Sequence, residues 1–382
     1  MSKLVTLNDL GYVNRGRSKH RPRNAPELYG GPYPFVQTAD IKHADLYLTE
    51  YEQTYSELGL AQSRLWPIGT LCITIAANIA DTAILGCEAC FPDSVIGFIP
   101  DEDKCDVRYV KYLFDTELQE SFQQLSQGVA QDNLSKDKLL SVKFHIPDLP
   151  IQRRIADILS AYDDLIENNR RRIAILEETA RRIFEGEIVN GNWECVPVDA
   201  LVEVNPEVPK PTCDGIRYIP MSALSTSGMT VALSDSEIRA QSTSVRFLNG
   251  DVLLARITPC LENGKTAYVN FLADGEIGCG SSEFIVLRGR RVSSYFTYCL
   301  ARLDAFRGIA IKSMIGASGR QRVQLSCFSD FQIQVPDDAT LRNFDATVAP
   351  MFDQIGILSK QSAALAAARD MLLPRLMKGE MA

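Results

Sequence analysis

From Ile151 the apolar residues fall at Ile155, Ile158, Tyr162 and Leu165, then at Ile173, Leu176, Ala180 and Ile183. Steps that alternate four and three form the seam of a helix that packs along its length against another helix. Asn169 stands where the next apolar residue should be. No Gly or Pro interrupts Ile151 to Glu185, so the pattern predicts one helix about 50 Å long at 1.5 Å per residue. Such a helix cannot bury its seam alone. A second stretch with the same spacing runs through Leu341, Phe344, Val348, Met351, Ile355, Leu358, Leu365, Leu372 and Leu376. Pro350 lies inside it and is expected to kink or break the helix. The matched repeat and the need to bury both seams lead to the expectation that residues near 151–188 pair antiparallel with those near 338–378.

The likeness of the two stretches extends to their flanks. The first closes with Glu185-Gly186-Glu187-Ile188, the second with Lys378-Gly379-Glu380-Met381, and Tyr162-Asp163-Asp164-Leu165 has a counterpart in Phe352-Asp353-Gln354-Ile355. Val5 to Leu10, followed by Val13-Asn14, corresponds to Val196 to Leu201, followed by Val204-Asn205. Pro34-Phe35-Val36 corresponds to Arg217-Tyr218-Ile219, and Ile68 to Cys72 corresponds to Asn249 to Leu253. Gly128 and the run Phe144-His145-Ile146 correspond to Gly316 and Gln332 to Val335. Elements that recur in one order at nearly constant spacing mark an internal duplication. The chain reads as two copies of one plan, a globular part and then a long helix. The fold class is α+β: two pseudo-symmetric mixed α/β domains separated by two long antiparallel coiled-coil helices. The divisions are expected at 1–148, 149–190, 191–337 and 338–382.

Within the first globular part, Phe35 to Thr38 and Thr70 to Ile75 are strand-like, and Asn78 to Thr82 is a loop between strands. Val107 to Leu125 has helical spacing, and Val142 to Ile146 is a strand ending at Pro147. In the second part Val252 to Ala255 and Phe284 to Leu287 read as strands and Tyr295 to Arg307 as a helix. Arg256 to Lys265 is the loop that matches Asn78 to Thr82.

Composition narrows the function. The 382 residues, 46% of them hydrophobic, are ample for two domains with cores of their own. Ten scattered cysteines, no signal-like leader and no apolar run of membrane-spanning length predict a soluble, cytoplasmic chain with reduced thiols. A net charge of −8 and a pI near 5.2 argue against indiscriminate coating of nucleic acid and leave room for local basic faces. The most basic stretch is Arg15-Gly16-Arg17-Ser18-Lys19-His20-Arg21-Pro22-Arg23. It is either a solvated loop or an arm for phosphate oxygens, which Arg forks and Lys point charges suit.

Catalytic patterns do not assemble. Gly264-Lys265-Thr266 ends like a phosphate loop, but Pro259 stands where the upstream Gly is required. Cys87 and Cys90 form a lone pair where zinc needs four ligands. The three histidines share no ligand-like or triad-like spacing, and Asp101-Glu102-Asp103 is too tight for a metal site. Asn205-Pro206 lacks the aromatic residue that would stack on a flipped base. No catalytic residue and no metal site is assigned.

Three segments carry a family resemblance: Pro147-Asp148-Leu149-Pro150-Ile151-Gln152-Arg153-Arg154-Ile155, Asp163 to Asn169, and the terminal Leu372 to Glu380. They resemble the conserved regions of type I restriction–modification specificity subunits. The resemblance covers the whole chain, with a target-recognition domain of the right length before each helix. In the second copy the opening motif has become Pro336-Asp337-Asp338-Ala339-Thr340-Leu341, without the Gln.

The resemblance implies a non-catalytic subunit whose two domains each read half of a split double-stranded DNA target, spaced by the coiled coil. It implies methyltransferase subunits that modify adenine with S-adenosylmethionine, and restriction subunits that use ATP and magnesium. The chain itself would hold no cofactor. The candidate DNA-binding residues are Arg15, Arg17, Lys19, Arg21, Arg23 and Asn78 in the first domain, and Arg256, Thr258, Asn263 and Lys265 in the second. They lie on loops that follow recurrent framework elements, where Arg and Asn meet base edges or phosphates. Two other readings stay open: the specificity subunit of a related solitary or fused modification system, and a protein-interaction scaffold that binds no DNA.

Overall fold

Residues 71–74 and their counterparts 252–255 are buried at every position, so each is the inner strand of a sheet covered on both faces. The computed structural model describes residues 3–76, 79–118, 136–189, 191–211, 215–241, 244–317 and 319–380. The chain divides into two units, Met1–Glu167 with Ala363–Ala382, and Asn168–Ser362.

In the first unit β1 (Lys3–Val5), α1 (Leu7–Leu10) and β2 (Gly11–Arg15) precede β3 (Tyr29–Phe35), α2 (Thr38–His43), β4 (Tyr47–Leu48), β5 (Gln53–Tyr55) and α3 (Glu57–Gln62). Then come β6 (Leu71–Thr74), β7 (Thr82–Leu85), β8 (Val95–Pro100), α4 (Val107–Leu113), α5 (Lys136–Ser141), β9 (Phe144–Ile146) and the long helix α6 (Leu149–Phe184). The main sheet has the order β2-β8-β6-β7-β4, antiparallel except for the pair β4–β7. Side chains alternate across a strand. Leu71 and Ile73 therefore join Ile96 and Phe98 on one face, against α4 and against Ile155 and Leu159 of α6. Cys72, Ala83 and Leu85 face Val36, Trp66 and Phe91 on the other.

The second unit repeats this framework. It contains β10 (Glu194–Pro197), β11 (Val202–Val204), β12 (Ile216–Ile219), β13 (Glu237–Arg239), β14 (Val245–Phe247), β15 (Val252–Ala255), β16 (Thr266–Tyr268), β17 (Gly278–Gly280) and β18 (Phe284–Gly289). Helices α7 (Ser294–Arg302) and α8 (Asp304–Lys312) and strand β19 (Gln332–Val335) follow, then the second long helix, α9 (Asp338–Met377). The sheet order β11-β18-β15-β16 matches β2-β8-β6-β7 strand for strand, and the antiparallel pair β10–β19 matches β1–β9. The division by face recurs as well. Val252, Leu254 and Ile285 pack with Phe184 and Phe344 of the long helices, while Leu253, Ala267 and Val286 pack with Phe247. Gly69 and Gly250, aligned by the duplication, both take left-handed φ values of 82° and 89°, which glycine adopts without strain. Their N–H groups donate across equivalent turns, to the carbonyls of Leu85 and Val269. The periphery differs: a two-stranded β3–β5 ribbon in the first unit, a four-stranded β13-β12-β17-β14 sheet in the second.

Both long helices contribute to both units. In the first unit Ile155, Ala156 and Leu159 share a core with Leu376, and Arg369 pairs with Asp163. Rising positions on α6 meet falling positions on α9, so the helices run antiparallel. In the second unit Ala180 and Phe184 share a core with Phe344, Val348, Phe352 and Ile355, and the Phe184 and Phe344 rings lie 5.9 Å apart. The Gln of the opening motif has a structural task. Gln152, 1% exposed, donates to the Pro147 carbonyl at 2.8 Å and accepts the Asp106 N–H at 3.2 Å, tying the start of α6 to the start of α4. In the second copy Leu341 fills that place against the core, and Asp337 caps α9 by accepting the Thr340 N–H at 2.8 Å.

The structure departs from the sequence pattern in five places. Phe35 to Thr38 is not a strand: β3 ends at Phe35, and Gln37 precedes helix α2, which starts at Thr38. Pro350 does not break α9, which continues from Asp338 to Met377. A proline inside a helix costs about 3 kcal/mol through the lost hydrogen bond and the clash of its ring together, and the buried Val348, Phe352 and Ile355 around it hold the helix. The seam of α6 is rotated from the expected one. Ile151, Ile158 and Leu165 are 37%, 37% and 51% exposed, whereas Gln152, Ile155, Ala156, Leu159, Ser160 and Asp163 are buried. Apolar spacing misleads here because polar side chains with partners take seam positions; Ser160, for one, accepts from Arg108 at 3.1 Å. Tyr295 to Arg307 is not one helix but parts of α7 and α8, interrupted at Leu303, whose ψ of 129° no helix accommodates. Helix α4 gives way at Phe114 to a π-helical turn ending at Leu118, and the rest of the expected helix, with Gly128, lies outside the described residues. No helix among the described residues is long and apolar enough to cross a membrane.

The rotated seam predicts unequal truncations. Leu159→Ala should lower stability by about 2–5 kcal/mol, and Leu165→Ala by less than about 0.5 kcal/mol, in urea unfolding of the chain. Equal losses would restore the seam to the phase expected from apolar spacing. Gln152→Leu, which installs the residue of the second copy, should cost about 1–3 kcal/mol because the Asp106 N–H is left without its acceptor. A neutral result in the same titration would remove that tether from the account.

Candidate nucleic-acid interface

The basic loop begins where β2 leaves the sheet, and its backbone is pinned at several points. Arg17 N–H donates to the Phe91 carbonyl at 3.0 Å, and the Ser63 hydroxyl donates to the Arg17 carbonyl at 2.8 Å. The side-chain oxygen of Gln62, at the end of α3, accepts the N–H groups of Lys19 and His20 at 2.6 and 3.0 Å. The loop is thus held by its main chain while the side chains of Arg15, Arg17, Lys19, Arg21 and Arg23 are exposed. Two of the five are already engaged. Arg21 donates to the carbonyls of Ser18 and His20, and Arg23 pairs with Asp93 at 3.0 Å. The side chains of Arg15, Arg17 and Lys19 make no ion pair among the described residues. Asn78 lies outside the described residues.

Beside this loop stands a residue that sequence reasoning missed. The guanidinium carbon of Arg64 lies 4.2 Å from the centroid of the Trp66 ring and 4.9 Å from that of Tyr12. Its Nη1 donates to the Tyr12 hydroxyl at 2.8 Å, as does the Asn14 amide at the same distance. These donors, Asn14 first and Arg64 second, hold the Tyr12 pKa below the ordinary phenol range. Lys136 reaches the Asn14 side-chain oxygen at 3.3 Å. The platform is rigid: Trp66 is fully buried and stacked on Phe91 at 4.8 Å, and a Cβ at Gly97 would come within 2.6 Å of its ring. An arginine held by two rings keeps its remaining donors in a fixed plane. Nothing local marks Arg64 in the sequence. The available cue was Tyr12 and Asn14, which alternation puts on the opposite face of β2 from the buried Val13.

In the second unit Arg256, Thr258, Asn263 and Lys265 share the loop between β15 and β16, with different surroundings. Thr258 is bound to Gln321 twice, through its own N–H and through its hydroxyl oxygen, both at 3.0 Å. Lys265 Nζ donates to the Met221 carbonyl at 2.8 Å. These two hold the loop to its neighbours. Asn263 is exposed, and Arg256 is half-buried near Glu283. Arg322 grips that carboxylate with both nitrogens at 2.6–3.0 Å and holds its pKa below the usual range. Among the described residues no group of His, Cys, Asp or Glu could hold a metal ion.

Comparison with known proteins agrees with this layout. The family model for the type I restriction modification DNA specificity domain matches residues 2–178. The specificity subunit of the type I restriction enzyme MjaIX of Methanocaldococcus jannaschii is 24% identical over 408 residues, which cover 98% of this chain and 92% of that one. The EcoAI specificity subunit of Escherichia coli is 30% identical over 151 residues, 38% of this chain and 25% of its own length. The crystal structure of a type I restriction–modification S subunit from M. genitalium shares the fold, with a TM-score of 0.59 at 14% identity over 98% of this chain and 96% of that one. Residues 2–178 thus match the type I restriction modification DNA specificity domain, and the chain is similar from end to end to a specificity subunit of a type I restriction enzyme.

Proposed function

We propose that this chain reads a bipartite double-stranded DNA target, one half-site with each unit, and scaffolds methyltransferase and restriction subunits without catalysing a reaction itself. The observation that carries the reading is the duplicated framework with unlike loops: one strand order, built twice, supports two different polar surfaces. Rigid scaffolds with variable loops suit recognition of two different sequences. In the first unit Arg15, Arg17 and Lys19 neutralise phosphates, and Arg64, preorganised by its rings, meets a base edge such as guanine O6 and N7. In the second, Asn263 and Arg256 take that part. The net charge of −8 fits phosphate neutralisation shared with partner subunits. Adenine methylation by S-adenosylmethionine, and translocation driven by ATP and magnesium, belong to those partners. The exposed row Ile151, Ile158 and Leu165, seven residues apart on α6, suits the docking of methyltransferase helices.

Methylome sequencing of the host with and without the gene tests the core of this reading. A split adenine-methylation motif should vanish with the gene, and an unchanged methylome would end the proposal. Within the assembled methyltransferase, Arg64→Ala should weaken cognate binding about tenfold or more and relax discrimination at one base pair of one half-site. Arg17→Ala should weaken binding to all sequences alike and reduce the salt slope by about one. If Arg64→Ala left both affinity and discrimination intact, the residue would be a structural arginine only. Ile158→Glu with Leu165→Glu, both at exposed positions, should leave the chain folded but abolish co-purification with the methyltransferase subunit. Undiminished assembly would place docking elsewhere.

A further inference from the structure

Glu177 of α6 is 3% exposed, in the second unit. A carboxylate so buried is tolerated only when its oxygens are bonded, and each of these is. Oε2 accepts the Met229 N–H at 2.8 Å, and Oε1 accepts the Tyr298 hydroxyl at 2.5 Å. Arg302 Nε lies 3.9 Å from the same Oε1. Arg302 is itself 8% exposed, and its remaining nitrogens point to main chain: Nη1 donates to the Gly264 carbonyl at 2.7 Å and Nη2 to the Ser227 carbonyl at 3.4 Å. Arg307 adds the carbonyls of Leu261 and Glu262, at 3.0 and 3.3 Å. The loops 225–229 and 261–265 cross closely, since a Cβ at Gly264 would come within 2.6 Å of the Thr226 carbonyl oxygen. All four acceptors on these loops are backbone groups, so the contacts govern the course of the chain whatever its side chains are.

We propose that Glu177 and Arg302 are positioning residues for DNA reading by the second unit: through them α6 fixes the backbone of 261–265 and so aims Asn263. The inference rests on the reading above, in which the loop between β15 and β16 meets DNA. A loop held by guanidinium groups is ordered before it binds, so binding loses less conformational entropy and one presented shape discriminates between bases. The buried carboxylate of the first unit is arranged otherwise. Like Glu177, Asp163 bonds a tyrosine of a neighbouring helix, Tyr112 of α4, but its other partner is Arg369 of α9, and among the described residues it bonds no loop. Loss of the Glu177–Arg302 clamp should therefore affect one half-site and spare the other.

The test uses the assembled methyltransferase with its cognate duplex and with duplexes altered at single base pairs in either half-site. The second unit's half-site is the one whose reading Asn263→Ala changes. Glu177→Gln with Arg302→Met removes both charges at similar length and leaves an amide oxygen to accept the Met229 N–H and an amide N–H to donate to the Tyr298 hydroxyl. This pair should reduce discrimination at least tenfold at that half-site and leave the other unchanged, with faster amide exchange across 261–265. Arg302→Lys, which retains a donor for Gly264, should recover most of the discrimination. Unchanged discrimination, or equal loss at both half-sites, overturns the proposal. If the double variant does not assemble, Arg307→Ala, which releases only Leu261 and Glu262, decides by the same two outcomes. A failure of the underlying DNA reading looks different: Asn263→Ala then alters no base preference, and both proposals fall together.

Discussion

A sheet buried on both faces must be covered twice, and in each unit the same pair of long helices supplies part of one cover. The strands β6 and β15 have no exposed residue, so each needs apolar side chains above and below. Helices of 36 and 40 residues have the converse need, a seam too long to keep dry alone. The two requirements meet in the cores where Leu159 and Leu376 pack in one unit and Phe184 and Phe344 in the other. The remainder of each framework follows from that mutual burial, including the paired end strands β1–β9 and β10–β19 from which the helices start.

The seam is held by polar groups as much as by apolar ones. Gln152, Asp163 and Glu177 are buried on α6, and each reaches a different helix start, neighbouring helix or loop. Removing a polar group from water is costly unless its bonds are replaced. Such contacts add little net stability but admit only one arrangement of partners. This is where the two copies diverge most. Where Gln152 tethers one helix start, Leu341 packs in the other; the buried carboxylates of α6 each bond a tyrosine of a neighbouring helix, but Glu177 adds a loop N–H where Asp163 adds Arg369 of α9.

On the presented surfaces, main-chain ties and aromatic platforms matter more than the count of charges. Of the five cations in the basic loop, Arg21 and Arg23 are already occupied, while an arginine outside it, Arg64, is held by two aromatic rings and a phenol hydroxyl. In the loop between β15 and β16, Thr258 and Lys265 hold the loop and leave Asn263 outward. A chain of net negative charge can bind an anionic duplex through a few such prepared cations.

Local periodicity and repetition made the duplication, the two long helices and the basic loop readable from the sequence. These depend on residue spacing, which a linear chain carries in full. Gly69 and Gly250 illustrate this, aligned as sequence and then found in the same left-handed turn. The phase of the α6 seam was not readable, because buried Gln152, Ser160 and Asp163 look like surface residues until their partners are known. The continuity of α9 through Pro350 was hidden for a similar reason: packing against the core outweighs the local cost of proline. Arg64 against Tyr12, and Arg302 beneath Gly264, join residues 52 and 38 positions apart. Their meaning lies in contacts that exist only once the sheets have closed, and no spacing rule along the chain encodes those.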